Sequence, residues 1–236
     1  MKKLFFNLSF FLIVTISCGT ESKVSENGND NDNNRDWPFD TATEIVEVTN
    51  PATGRTWMDR NLGASRVATS STDEQAYGDL YQWGRAADGH QIRTSATAIT
   101  LSSSEQPGHG DFILSPNEPY DWRSPGNNNL WQGVGGTNNP CPNGYRLPTE
   151  AEWEAERESW ISNDAAGAFA SPLKLPLGGS RGSSNGSLGS NVGSQGSYWS
   201  STVSSRFSKD LLVTAIDARM LIYYRAMGRS VRCIKN

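Results

Sequence analysis

The 236-residue chain carries 21 Lys and Arg against 25 Asp and Glu, a formal charge of −4. That length suffices for one sizeable core, and modest acidity spread along the chain argues against nucleic acid, which needs a basic face. Eight Trp, seven Tyr and 23 Gly point to an irregular, loop-heavy domain pinned by aromatics.

Residues 1–17 read as a signal peptide. Lys2 and Lys3 give a positive start, and the apolar run Leu4 to Ile16 is too short to span a bilayer. Ser17-Cys18 fits a lipoprotein cleavage site, with Cys18 as the lipidated N-terminus, although Thr15 stands where such sites usually have Leu. Plain secretion is the alternative, and a retained anchor a further one. Residues 18–40 read as a disordered tether, because Gly19 to Asp36 has almost nothing to bury against its ordering entropy. Asp30-x-Asp32-x-Asn34 begins like an EF-hand loop. Arg35 replaces its Gly and Thr41 its terminal Glu, so no calcium site is expected.

The folded domain is expected over 41–236. Glu44 to Val48 and Thr56 to Asp59 read as two strands joined by the turn Asn50-Pro-Ala-Thr-Gly54, a hairpin. Gln75 to Trp83 reads as a short helix or turn that docks Tyr77, Tyr81 and Trp83. Arg85 to Asn139 has little periodicity, holds both histidines, and is rich in turn signals; a loop this long is usually functional. In Cys141 to Glu154, Thr149 and Glu152 form a capping box that opens a helix. Glu150, Glu152 and Glu154 suit the positive end of its dipole, and Trp153, Trp160 and Ile161 form its apolar stripe. The Gly/Ser stretch from Gly178 to Gly196 reads as a surface loop with a tight turn at Asn185-Gly186. It lacks the Gly-Lys-Ser/Thr ending of a phosphate loop. Four strands close the chain as an antiparallel meander: Tyr198 to Thr202, Leu211 to Ile216, Met220 to Ala226 and Ser230 to Ile234.

Within this pattern, Gly144-Tyr-Arg-Leu-Pro-Thr-Glu-Ala-Glu-Trp-Glu154 resembles the signature of the formylglycine-generating (sulfatase-modifying) enzyme superfamily, whose fold resembles C-type lectins. Five ordered blocks, Thr53–Ser65, Tyr77–Gly89, Cys141–Trp153, Gly196–Thr202 and Gly228–Asn236, resemble the Fibrobacter succinogenes major paralogous domain family, known mainly as bacterial surface and secreted lipoproteins. The resemblance implies an α+β, C-type lectin-like or sulfatase-modifying-factor-like fold: antiparallel strands, one well-capped helix and long irregular loops. It implies no established activity.

With Cys18 taken by lipid, Cys141 and Cys233 remain as an even pair in an exported chain, and a disulfide is expected, against two buried free thiols as the alternative. The resembled family also carries Cys in both blocks. No catalytic residues, metal or cofactor are expected. Formylglycine generation needs a reactive cysteine pair near the chain end, where only Cys233 stands. The serines lie in no nucleophile turn, and two histidines 19 apart make no zinc motif. Capping and dipole roles already explain the three glutamates, so a glycosidase pair is not indicated. The expected function is non-enzymatic binding or adhesion to a surface glycan or protein, by a protein held at the cell envelope (outer membrane or cell surface) through its lipid. Tyr120, Trp122 and Trp131 offer flat faces for sugar rings, and Asp121, Arg123 and Asn127 to Asn129 offer hydrogen bonds. The bland reading of those tryptophans is as pins packed on the core. The alternative functions are a structural surface component without a ligand, or an enzyme of unknown type.

Overall fold

The computed structural model describes residues 43–236. The signal peptide, Cys18, the 18–40 tether and the Asp30 motif lie outside the described residues. The architecture is α+β, with mostly antiparallel strands and two short helices.

The hairpin forms as its turn chemistry dictates. β1 (Glu47–Thr49) and β2 (Thr56–Met58) pair with Val48 opposite Trp57. The Gly54 N–H closes the turn on the Asn50 carbonyl at 2.8 Å. β1 starts three residues later than expected, although the Val46 carbonyl before it still accepts from the Asp59 N–H at 2.8 Å. A 3-10 turn (Glu74–Ala76), capped by Asp73, delivers Tyr77, Tyr81 and Trp83 to buried positions. β3 (Tyr81–Gln82) follows. The long segment after it holds only β4 (Thr97–Ala98) and β5 (Phe112–Ile113), paired in parallel. β6 (Tyr145–Arg146) leads into α1 (Glu150–Glu158).

The capping box at α1 is complete. The Thr149 hydroxyl accepts from the Glu152 N–H at 3.2 Å, and the Glu152 carboxylate accepts from the Thr149 N–H at 2.9 Å. The stripe is shorter than expected. Trp153 is fully buried, but α1 ends at Glu158, so Trp160 and Ile161 lie beyond it and Ile161 is 86% exposed. A second helix, α2 (Ala165–Ala170), was not anticipated. Asp164 caps it by accepting from the Gly167 N–H at 2.9 Å. Gly167 lowers helix propensity, yet it is required: a Cβ there would sit 1.9 Å from the Ser162 carbonyl oxygen.

β7 (Gln195–Ser204), β8 (Phe207–Thr214) and β9 (Ala218–Tyr223) form a three-stranded meander. The expected fourth strand leaves it. β10 (Gly228–Arg229) pairs with β3, and β11 (Ile234–Lys235) inserts between β2 and β6. The chain end therefore closes on the N-terminal hairpin rather than extending the meander. The Gly/Ser stretch is likewise only half a surface loop. Arg181 is buried over the Phe112 ring at 4.3 Å, while the turn at Asn185-Gly186 forms, with the Gly186 N–H on the Gly182 carbonyl at 3.0 Å.

Two of these strands are buried on both faces. Trp57 and Tyr198 join one apolar cluster with Trp153, Leu173, Leu211 and Ile234. Their neighbours Met58 and Trp199 join another with Trp83, Trp131, Leu147 and Cys233. Period-two alternation thus sends each strand's side chains into two cores. The Cys141–Cys233 disulfide forms beside the second core, with Cα atoms 5.8 Å apart.

Candidate functional site

The site begins with what the tryptophans do. Trp122 and Trp131 are fully buried. The Trp122 indole N–H donates to the Trp83 carbonyl at 2.7 Å, and that of Trp131 to the Asn138 carbonyl at 2.8 Å. A buried indole must place its one donor, and irregular backbone leaves carbonyls free to receive it. Neither ring is a surface for sugar stacking, which corrects the expectation; both pin the 85–139 segment to the core. Arg123 is half-buried and donates to the Pro125 carbonyl, while its buried Nε has no hydrogen-bond partner.

Tyr120 and Asp121 do come to a surface feature. A cleft of about 250 Å³ is lined by Pro119, Asp121, Gly126, Asn128, Ser205, Arg206 and Arg225. Three segments converge to make it: the 118–128 loop, the β7–β8 turn and the chain just after β9. Among the described residues three non-glycine positions have positive φ, and two flank this cleft, Tyr120 at 58° and Ser205 at 55°. Such conformations are costly and concentrate at functional sites.

The cleft has a charged floor and an aromatic flank. Arg225 is nearly fully buried and lies 4.4 Å over the Trp83 ring. Its guanidinium donates to the Ser208 hydroxyl at 3.2 Å, the Asn128 side-chain oxygen at 2.5 Å, and the Ser205 and Phe207 carbonyls at 3.3 Å. Asp121 Oδ2 faces Arg225 Nη1 at 3.6 Å, beyond hydrogen-bond length. Burial raises the Asp121 carboxyl to about 6 against the opposing pull of Arg225. Gly126 lets the loop close over this carboxylate: a Cβ there would sit 3.0 Å from Oδ2. Beside the floor, Tyr120 stacks on Tyr224 with centroids 4.3 Å apart, and Phe207 leans on Tyr224 at 5.7 Å. Tyr224 is 40% exposed. Arg206 pairs with Glu118 across the rim at 2.6 Å.

Tyr224, Arg225, Arg206 and Phe207 were not foreseen as site residues. Tyr223-Tyr224 in a predicted strand offered one signal, since alternation sends adjacent rings to opposite sides. Arg225 meets Asp121 only through the tertiary fold.

Groups that would suggest catalysis are occupied. His90 is fully buried; its Nε2 accepts from the Gln82 N–H at 3.0 Å and its Nδ1 lies 2.7 Å from Asp88 Oδ1. Burial lowers its pKa to about 4, so the ring is neutral and Nδ1 donates to Asp88. His109 is partly exposed, 3.7 Å from Asp111. Glu150, Glu152 and Glu154 pair with Lys209, Arg146 and Arg157 respectively. Among the described residues no three His, Cys, Asp or Glu side chains cluster as a metal site would require, and no helix is long and apolar enough to cross a membrane. Comparison with known proteins finds no matching family model, no matching curated protein and no matching solved structure.

Proposed function

We propose that this chain is a lipid-anchored cell-envelope protein whose domain is a non-enzymatic binding module for surface glycans, of the C-type lectin-like kind carried by the Fibrobacter succinogenes major paralogous domain family. The signal-like residues 1–18 support the anchor. Antiparallel sheets, a capped helix and long irregular loops are what the resembled fold implies, with recognition carried on the loops. The observation that carries the binding reading is the exposed Tyr120–Tyr224 stack beside the Asp121–Arg225 cleft. Aromatic faces next to a few fixed polar groups are the usual composition of a ligand site, and both flanking lips hold strained backbone.

The test is a glycan and matrix-protein binding screen on the full chain, oxidised, with calcium and then with chelator. A saturable hit is expected, independent of calcium, and abolished by Tyr224→Ala. Tyr224 is 40% exposed, so that substitution should lower stability by less than about 1 kcal/mol. A blank screen on folded protein would leave a structural surface component as the better reading.

A further inference from the structure

The charge pattern of the cleft narrows the ligand class. The inference rests on the glycan-binding reading above. Arg225 sits on the floor and looks at first like an anion receptor. Its Nε and Nη2 are taken, however, by Ser208, Asn128, Ser205 and Phe207, and its Nη1 by a long contact to the Asn127 carbonyl at 3.4 Å and the ion pair with Asp121. Arg206, the other cation lining the cleft, is paired with Glu118. An incoming carboxylate that captured Arg206 would strand Glu118 beside it. No uncommitted cation lines the cleft among the described residues.

Asp121, the other half of that ion pair, keeps acceptor capacity. Its Oδ1 accepts from the Arg123 N–H at 3.3 Å, and the Trp122 N–H also supports the carboxylate. Oδ2 lies 3.6 Å from Arg225, attracted but not hydrogen-bonded, and Asp121 lines the open cleft. A half-used carboxylate in a low-dielectric niche calls for a donor. The volume of about 250 Å³ falls below the roughly 300–1,000 Å³ of pockets for drug-sized ligands, so it admits one ring rather than a chain segment.

We infer that the cleft takes a single uncharged, hydroxyl-bearing sugar ring, that Asp121 accepts from the ring's hydroxyls and sets this specificity, and that uronic acids and other carboxylate-bearing sugars are excluded. Four charged groups surround Asp121: Arg225 after β9, Arg206 in the β7–β8 turn, and Glu118 and Arg123 in its own loop. Burial raises the Asp121 carboxyl to about 6. A donor hydroxyl prefers the ionised carboxylate, so affinity should be full above about pH 6 and fall as pH drops below it.

The experiment measures binding of the full chain to neutral cello-, manno- and galacto-oligosaccharides and to oligogalacturonate, between pH 4.5 and 8. At least one neutral series should bind and oligogalacturonate should not. Asp121→Asn, nearly isosteric, should weaken neutral binding about tenfold, because a charge-assisted hydrogen bond becomes an ordinary one. It should also flatten the pH profile and admit the uronide. Arg219→Gln, exposed on β9 and outside the cleft, should leave neutral binding within about twofold. Uronide binding equal to or tighter than neutral binding would overturn the inference while leaving the glycan reading intact. So would a pH profile that Asp121→Asn does not alter. Loss of all saccharide binding at every pH, on folded wild-type protein, would overturn the glycan reading itself.

Discussion

The β7–β9 meander and the 85–139 segment both send large side chains into the core, yet they satisfy their backbones by opposite means. In the meander, ladder bonds run from Gln195 opposite Thr214 to Ser208 opposite Tyr223, and side chains are left free to pack. The 85–139 segment has two residue pairs of parallel ladder. Many carbonyls in it and in the chain packed against it are instead met by side chains. Arg85 donates to the carbonyls of Asp111 and His109, each at 2.8 Å. Gln82 serves the Ile113 and Ala226 carbonyls, and Asn138 those of Gly84 and Glu105. Indole donors complete the set. Buried backbone must be paired somewhere. A chain that forgoes sheet must therefore spend polar side chains inside its core, and it gains loops whose tips can be shaped into a cleft.

The largest test of this contrast strikes the brace that ties the end of the irregular segment to the chain's last strand. Cys141 ends the irregular segment and Cys233 lies just before β11. The bridge closes a loop with a sequence separation of 92, for which the chain-entropy model gives roughly 4–5 kcal/mol. Cys233→Ser should therefore lower the urea midpoint and Tm severely under oxidising conditions, and the same substitution should change little under reducing ones. An unchanged melting temperature in oxidant would mean that side-chain bonding alone holds the segment.

A sharper probe is Arg85→Met. The Arg85 side chain is fully buried; it pairs with Asp88 at 2.7 Å and donates to Gln82 Oε1 at 2.9 Å. Met preserves length and apolar contact with Trp122, whose ring the guanidinium overlies at 5.7 Å. What is lost is every donor at once, leaving two carbonyls without partners and the Asp88 carboxylate with His90 alone. Removing one member of a buried charged pair costs about 3–5 kcal/mol; Asp88 is 20% exposed, which favours the lower end. Hydrogen exchange should show the loss concentrated over 82–113, with the β7–β8 amides still protected. Uniform deprotection would mean that the two regions unfold as one unit.

The same division explains what could be read from the residues alone. The hairpin, the capping box, the Cys pair and the first three strands of the closing meander depend on neighbours within a few positions or on simple counting, and they were legible. α2 was not, because Ala165–Ala170 is short and contains a glycine whose necessity lies in the Ser162 backbone. Nor was the departure of the last strand, since Val231 and Cys233 are buried as alternation requires, while Arg232 is buried too, donating to the Leu173 carbonyl at 2.7 Å. An aromatic in a loop reads identically whether it points inward or outward. Hence Tyr120 and Asp121, which come to the cleft, were grouped with Trp122 and Trp131, which are buried in the core, and Tyr224 and Arg225 were passed over.

The smallest effect should come from the most legible feature. Thr149→Ala removes the hydroxyl that accepts from the Glu152 N–H. The other half of the box survives: the Glu152 carboxylate still accepts from the Thr149 N–H, and it is fixed independently by two contacts to Arg146 at 2.8 Å and by Arg55. Those partners hold the Glu152 pKa down to about 2 despite its partial burial. α1 is also tied from outside, where the Glu150 N–H donates to Thr202 Oγ1 at 2.9 Å across the irregular stretch of β7. One of four orphan N–H groups is thus released into a helix start with several remaining anchors, and the cost should be about 1 kcal/mol, read as a small shift in urea midpoint. A loss near that of Arg85→Met would mean that the helix start, rather than the side-chain lattice of 85–139, is the weak point of the fold.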